Sequence, residues 1–316
     1  MTKDILPADE WVHVQPGSLT DDHIIAMFLH LRTHSTYTLR NYQRAISQFR
    51  EFVSCKPLRN VTWKEIEAYL YSLSKGHCSK RQKPLAPATV ASLLAPLRSL
   101  YKWGSDPNVN MFPHDPTTSI RSPKVTVTSK QHYLTRRETV LFLNELKRQG
   151  DRDYLIGLTL VMLGLRVSEL TQMTWGHFHT DPSETSIWLT VVRGKGGKQR
   201  DVKVPPKLWS LYKQYSAQLK PQASSERIFP LSVRQVERII RTARETSRIG
   251  KKITPHWLRH TNATLALLNG ASLQQVQEHL GHSHITTTQR YLHTVEQMQK
   301  AAPDFVENCL QEALRL

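Results

Sequence analysis

Apolar residues recur every three or four positions along most of this chain, the spacing that gathers them on one face of a helix. In the N-terminal third, this pattern and its capping residues predict four helices, which begin near Thr20, Thr36 or Thr38, Thr62 and Pro87. Residues 1–18 lack the pattern and contain two prolines, so we expect a flexible arm there. The pattern therefore predicts a small all-helical domain over residues 19–104.

The C-terminal part combines helical spacing with a short region of alternation. Prolines and weak periodicity predict an extended linker over residues 105–133, and a capping box at Thr135 and Glu138 opens a second domain. Helices are predicted over residues 136–148, 152–164 and 167–174, and again after Pro206. Residues 187–191 and 201–204 alternate apolar and polar side chains around a glycine-rich turn, which predicts a β-hairpin. The expected fold class is mainly α with a small β-hairpin or sheet, built as an N-terminal four-helix domain and an α+β domain over residues 134–316.

The net charge of the chain indicates what kind of partner it binds. The chain of 316 residues has a formal net charge of +17, and residues 193–259 alone contain 17 Lys or Arg against four acidic residues. Such a basic region favours nucleic acid as the partner over an acidic membrane surface or a merely solubilising surface. Apolar runs stay well short of the ~18 residues that a membrane span needs. The three cysteines are far apart, which is typical of a reducing cytosol, so we expect a cytoplasmic protein without a membrane partner.

One helix connects this charge to a surface. Between Val233 and Ser247, a rotation of ~100° per residue places the apolar side chains on one side and the arginines on the opposite side. The arginines are Arg234, Arg238, Arg241, Arg244 and Arg248. A solvated face is the ordinary explanation of such a row. Because only Glu237 and Glu245 are available to pair with five arginines, the row favours a surface that follows DNA phosphates.

A set of residues in the second domain could cleave a phosphodiester through a tyrosine. Ionising a phenol at pH 7 costs about 4 kcal/mol, the transition state gathers charge that guanidinium groups can neutralise, and the leaving 5′-oxygen needs a proton. The candidates are Tyr291 as nucleophile, Arg166 and Arg259 as phosphate ligands, Lys195 as general acid, and His256 and His282 as donors to the phosphate or acceptors of the tyrosine proton. Glu169, one turn after Arg166, is expected to orient another group. Since the chain offers no carboxylate cluster for magnesium, neither a metal nor another cofactor is expected.

Each of these residues has an ordinary explanation when taken alone. Arg166 could be a surface ion-pair partner, and the turn around Lys195 could be an ordinary hairpin turn. His256 and His260 have the i, i+4 spacing of a zinc helix, but no third ligand is obvious. The prediction therefore depends on the ordered set rather than on any member.

The set resembles the tyrosine recombinase (integrase) family, closest to its Xer-like and phage or transposon members. The resemblance rests on Gly-Leu-Arg-x-Ser-Glu-Leu from residue 164, His-x-Leu-Arg-His from residue 256, and Leu-Gly-His followed by Tyr291. Asn262, where the family usually has an apolar residue, and Leu292, where a small residue is common, depart from the pattern.

The resemblance implies a function and a division of labour. Residues 19–104 would be a core DNA-binding domain and residues 134–316 a catalytic domain, which together clamp duplex DNA at an inverted-repeat recombination site. Tyr291 would form a 3′-phosphotyrosyl bond, and strand exchange would pass through a Holliday junction in a homotetramer, or in a tetramer with a second recombinase. The expected DNA contacts are Arg40, Arg44, Lys198, Arg234, Arg238 and Arg241. A last helix over 296–314, with Met298, Phe305, Val306 and Leu310 as its apolar face, would dock on a neighbouring protomer.

Two other functions remain open on the sequence. A type IB topoisomerase-like enzyme that relaxes DNA would share the chemistry, although the small first domain argues against it. A non-catalytic DNA-binding regulatory protein would share the basic surface but would not need the complete set of six catalytic residues. All three functions place the protein on the nucleoid.

Overall fold

The structure, a computed structural model, describes residues 19–32, 35–77, 83–125, 132–192, 199–220, 223–299 and 302–314. The chain divides into two compact units, Met1–Thr126 and Val127–Leu316. No helix among the described residues has the length and apolar character needed to cross a membrane.

The first unit contains the four predicted helices. They are α1 (Asp21–Arg32), α2 (Thr36–Phe52), α3 (Trp63–Lys75) and α4 (Pro87–Gly104), with a short 3-10 turn at Leu58–Asn60. Phe28, Phe49 and Tyr69 pack in their common core, and none of the three is exposed. The capping box at Thr62 and Glu65 is confirmed, but α2 begins after Ser35 rather than after Thr36 or Thr38.

The chain after α4 differs from the extended linker that the sequence predicts. Phe112 and Ile120 are buried in the core of the first unit. The backbone N–H of Phe112 donates to the carbonyl of Gly104, and Arg98 donates to the carbonyl of Ile120. The prolines end helix α4, but the spaced apolar residues keep the chain packed on the unit as far as residue 120.

The second unit combines nine α-helices and a short 3-10 turn at Trp175–His177 with one sheet in its described residues. The helices are α5 (Arg136–Gln149), α6 (Asp151–Leu163), α7 (Val167–Leu170), α8 (Pro206–Leu219), α9 (Val233–Thr246), α10 (Pro255–Leu268), α11 (Leu273–Leu280), α12 (Ile285–Gln299) and α13 (Ala302–Leu314). The strands β1 (Phe178–Thr180), β2 (Ile187–Val191) and β3 (Arg200–Val204) form an antiparallel sheet in this order, with Leu189 opposite Val202. The mainly helical fold class and the hairpin are thus confirmed. Strand β1 was not predicted, because three residues are too few to show alternation.

One of the predicted helices is shorter in the structure. Helix α7 ends at Leu170 rather than at residue 174, because Met173 and Gly176 instead make backbone hydrogen bonds to the segment 224–228. The predicted last helix over 296–314 coincides with the end of α12 and with α13, and residues 300 and 301 between them lie outside the described residues.

Candidate active site

The turn between α6 and α7 positions Arg166 and Glu169. Helix α6 ends at Gly164, whose left-handed φ of 57° suits glycine, and Arg166 is the residue that caps α7. The carboxylate of Glu169 accepts from the backbone N–H of Arg166 and from its Nη1, both at 2.8 Å. The Glu169 side chain is only 1% exposed, whereas the Arg166 side chain is 27% exposed, so the carboxylate is buried and the guanidinium reaches the surface.

Arg200, which the sequence did not predict as a site residue, holds the same carboxylate from the other side. Its Nη1 and Nη2 donate to Oε1 and Oε2 of Glu169 at 3.0 and 2.9 Å, and its Nε donates to the carbonyl of His279 at 2.9 Å. Burial alone would raise the pKa of Glu169, but the hydrogen bonds and charges of Arg200 and Arg166 outweigh it, so the pKa is lowered and the carboxylate stays ionised. Arg200 begins strand β3, so it connects the β-hairpin to Glu169.

Arg259 joins the ends of two helices. Its side chain on α10 is buried, with 2% of the residue exposed. Nη1 donates to the carbonyl of Gly164 at 2.5 Å, and Nη2 donates to the carbonyl of Leu280, at the C-termini of α6 and α11. These terminal carbonyls lack partners within their helices and carry partial negative charge, which favours a cation there. Burial and the charge of Arg166 lower the pKa of Arg259 to about 9, so it remains protonated at neutral pH.

Asn262 explains one of the departures from the family pattern. Its Nδ2 donates to the carbonyls of Val161 and Met162, both at 2.9 Å, in the last turn of α6. An apolar residue at this position could not make these bonds. The amide therefore caps α6 one turn away from Arg259 on the same helix, and it supports the turn that leads to Arg166.

Tyr291 lies between two histidines. It is 9% exposed on α12, and its ring centroid is 6.4 Å from that of His282, with the rings nearly parallel, and 5.2 Å from that of His260. His260 in turn lies 4.3 Å from His256, one turn earlier on α10. On sequence grounds, His260 was only the second member of a zinc-type histidine pair. Its i, i+4 spacing from His256 was the signal that both would face the same pocket.

The histidines of this cluster are neutral at pH 7. Burial, assisted by the charges of the nearby arginines and histidines, lowers the pKa of His282 to about 4 and that of His260 to about 3, and it also lowers the pKa of His256. Burial raises the pKa of Tyr291, and the charges of Arg259 and Arg290 offset only part of that rise. The phenol is therefore protonated in this state, and an attack by its oxygen requires a proton acceptor.

The second unit thus brings together five of the six predicted catalytic residues, with Glu169 beside Arg166. The sixth, Lys195, and the predicted DNA contact Lys198 lie outside the described residues. The described part of the chain contains no group of three or more His, Cys, Asp or Glu that could hold a metal ion.

The predicted DNA contacts in the described residues are all exposed. Arg40 and Arg44 are one turn apart on α2 of the first unit, and Arg234, Arg238 and Arg241 lie on α9 of the second. The five-arginine row is shorter than predicted. Arg248 follows the end of α9 with a φ of 55°, and Arg244 pairs with Glu245 at 3.0 Å.

Comparisons with known proteins show the family of the chain and the fold that it shares. Residues 132–298 match the phage integrase family, and residues 19–110 match the N-terminal SAM-like domain of phage integrases. The chain is 31% identical over 292 residues to a tyrosine recombinase of Pseudothermotoga lettingae, covering 90% of this chain and 96% of that protein. It is 29% identical to the tyrosine recombinase XerD of Halalkalibacterium halodurans, covering 88% and 95%. A solved lambda integrase(75–356) dimer bound to a COC′ core site shares the fold, with 22% identity, a TM-score of 0.67, and coverage of 86% of this chain and 95% of that one.

Proposed function

The chain belongs to the phage integrase family of tyrosine recombinases, enzymes that cut and rejoin DNA, and we propose that Tyr291 is the nucleophile with which it performs site-specific recombination. The observation that carries this proposal is the position of Tyr291, which lies against His282 and His260 in the unit that also contains Arg259 and Arg166. A tyrosine placed only for packing would not need two neutral histidines and an arginine pair around it.

The reaction that these residues support is an in-line exchange at phosphorus. The phenolic oxygen of Tyr291 forms a bond to the phosphorus while the bond to the 5′-oxygen breaks, which leaves a 3′-phosphotyrosyl ester and a 5′-hydroxyl. The proton of the phenol passes to a base, and the 5′-oxygen receives a proton from a general acid. Attack of a 5′-hydroxyl from the partner strand on the same ester reverses the step and rejoins the DNA.

Arg166 and Arg259 are the proposed ligands of the transferring phosphate. Glu169 accepts one hydrogen bond from the Arg166 guanidinium and two from Arg200, so donors of Arg166 remain for a phosphate oxygen. The three guanidinium groups and one carboxylate give this part of the site a net positive charge of two. Donors fixed by burial need no rearrangement when charge develops on the phosphoryl oxygens.

His256, His282 and Lys195 are proposed to handle the protons. Neutral imidazoles can accept the proton of Tyr291 at one nitrogen while they donate to the phosphate at the other. Lys195 is the proposed general acid for the 5′-oxygen, because in the sequence it falls between strands β2 and β3, and Arg200 of β3 bonds Glu169.

The proposed partner is double-stranded DNA with an inverted-repeat recombination site. Residues 19–104 would bind its core through Arg40 and Arg44, residues 134–316 would add Lys198 and the arginines of α9, and residues 105–133 would connect the two. We infer a homotetramer, alone or with a second recombinase, that passes through a Holliday junction on nucleoid DNA. The exposed Phe305, Val306 and Leu310 on α13 support docking of that helix on a neighbouring protomer.

A nicked suicide duplex tests the proposal. A duplex is selected from a random library by binding to the protein, and a nick beside the cleavage point lets the cleaved end diffuse away. Without added metal, the wild-type chain is expected to form a covalent protein–DNA adduct that Tyr291→Phe abolishes. Tyr154→Phe, at a half-buried tyrosine of the same unit, is the matched control and should form the adduct normally. Absence of an adduct with the wild-type chain on a tightly bound site would contradict the proposal.

Recombination and relaxation are distinguished by their products. The relatives described above have the names of recombinases, which favours exchange over relaxation as the function of this chain. A plasmid with two copies of the selected site should yield two circles or an inverted segment. Relaxed plasmid without rearranged products would instead support the topoisomerase-like alternative.

A further inference from the structure

Thr288 is a buried residue of the site to which neither the family motifs nor the proposed mechanism gives a role. It has no exposed surface and lies on α12, one turn before Tyr291. Its Oγ1 is 2.9 Å from Nδ1 of His282. One helix therefore holds both the proposed nucleophile and the group that fixes the imidazole beside it.

The direction of this hydrogen bond follows from what else the hydroxyl could reach. Threonines inside helices commonly donate to the carbonyl four residues earlier, as Thr159 and Thr261 do here. Within the described residues, the Thr288 hydroxyl has the imidazole of His282 as its hydrogen-bond partner instead. A buried hydroxyl proton needs an acceptor, and Nδ1 is the acceptor that the structure offers.

We propose that Thr288 is a positioning residue that donates its hydroxyl proton to Nδ1 of His282 and thereby holds the imidazole as the tautomer protonated on Nε2. This proposal rests on the function proposed above, because it assigns His282 a single part in that reaction. With its proton on Nε2, His282 donates to a non-bridging oxygen of the transferring phosphate.

The sequence left open which histidine donates to the phosphate and which accepts the proton of Tyr291, and this assignment separates the two roles. If Nδ1 accepts from Thr288 and Nε2 bears a proton, neither nitrogen of His282 is free to take the proton of Tyr291. That proton then passes to a different base, and His256 is the remaining candidate among the residues that the sequence proposed. Tyr291 and His282 stack nearly parallel, with an interplanar angle of 11°, which places the imidazole beside the phenol ring.

Three substitutions test the assignment. Thr288→Val has nearly the same shape but no hydroxyl, Thr288→Ser retains the hydroxyl, and Thr287→Val makes the same change at the exposed neighbour on α12. Single-turnover cleavage of the nicked duplex is measured at saturating protein, and the Kd for that duplex is measured separately. Thr288→Val should cleave about 10- to 100-fold more slowly with its Kd within about twofold of wild type, because the loss lies in the orientation of a phosphate ligand. Thr288→Ser and Thr287→Val should cleave within about threefold of wild type.

The tautomer of His282 is measured in the protein without DNA. In the wild-type chain labelled with ¹⁵N-histidine, and assigned with His282→Gln, the Nε2 resonance should be that of a protonated nitrogen and the Nδ1 resonance that of an acceptor. In Thr288→Val, both tautomers of His282 should be populated. A protonated Nδ1 in the wild type, wild-type cleavage by Thr288→Val, or no rescue by Thr288→Ser would overturn the proposal. Absence of any adduct with the wild type would contradict the proposed function instead, and the tautomer measurement would still stand.

Discussion

At the scale of single residues, Arg259 and Arg166 have the same predicted role as phosphate ligands but differ in burial and in their hydrogen-bond partners. Arg259 is buried and bonds two helix ends, whereas the Arg166 side chain is 27% exposed and bonds one carboxylate. A lysine in place of Arg259 supplies one charge but cannot reach both carbonyls, because its ammonium lacks the planar fork of donors. Arg259 therefore contributes to the folded state as well as to the proposed reaction, and Arg166 mainly to the reaction.

We expect Arg259→Lys and Arg166→Lys to separate these contributions. Both should slow adduct formation by about 100-fold or more, since each replaces the guanidinium of a proposed phosphate ligand. Arg259→Lys should also lower the free energy of unfolding by about 2 kcal/mol, the cost of a lost charge-assisted bond to a buried carbonyl. Arg166→Lys should lower it by less than about 1 kcal/mol, since Glu169 retains both bonds from Arg200. Urea unfolding of both variants checks this, and equal losses of stability would contradict the distinction.

At the scale of elements, the periodicity of apolar residues predicted individual helices and strands. It could not predict the contacts between them. The four helices of the first unit, the β2–β3 hairpin and the apolar face of α9 follow from local spacing. Arg200 could not be predicted, because its partner Glu169 lies 31 residues earlier and is brought to it only by tertiary packing. Phe112 and Ile120 were hidden by the prolines around them, which end helices without preventing burial.

Helix α9 shows how an element-scale inference can be tested. Val236, Ile240 and Ala243 are buried, while Arg234, Arg238 and Arg241 are exposed on the same helix. If this face follows the DNA backbone, each arginine releases counterions when it neutralises a phosphate. Replacing Arg238 and Arg241 by Gln should then reduce the slope of log Kd against log salt by about 2.

A control with the same change of charge makes this test specific. Lys207 and Lys213 are exposed on α8, and their replacement by Gln also removes two positive charges. The control should leave the salt slope within about 0.5 of wild type. An unchanged slope in the α9 variant, or an equal reduction in the control, would remove α9 from the interface.

At the scale of the whole molecule, the predicted catalytic set lies in one unit, but its protonation could not be read from the sequence. Motif spacing identified Arg166, His256, His282 and Tyr291, since the resemblance fixes their order along the chain. The charge states of His256 and His282 depend on burial and on the guanidinium groups of Arg259 and Arg166, which come from separate parts of the chain. Thr288 could not be predicted from the sequence either, because its proposed role depends on the imidazole of His282 that the fold places next to it.

Buried neutral histidines should make the molecule less stable in mild acid. Burial lowers the pKa of both His279 and His282 to about 4, while an unfolded histidine has a pKa near about 6.5. The unfolded chain therefore binds protons first as the pH falls, and stability present above about pH 6.5 is lost progressively toward about pH 4. Urea unfolding should show a lower free energy at about pH 5 than at about pH 7.5.

His279→Gln isolates one of these groups outside the proposed machinery. Glutamine cannot take up the proton, so the difference in free energy between the two pH values should shrink, by about 2 kcal/mol at most. If the difference in free energy between the two pH values were unchanged, burial would not lower the pKa of His279.

The most direct test of the central claim is the identity of the residue that becomes attached to DNA. Trypsin cuts after Arg290 and Lys300, so Tyr291 is the only tyrosine of the peptide 291–300. The adduct is digested with trypsin and nuclease and then analysed by mass spectrometry. We expect this peptide to bear a nucleotide joined to Tyr291 through its 3′-phosphate, with a free 5′-hydroxyl on the released strand. A nucleotide on any other peptide, or a 5′-phosphate on the released strand, would contradict the account.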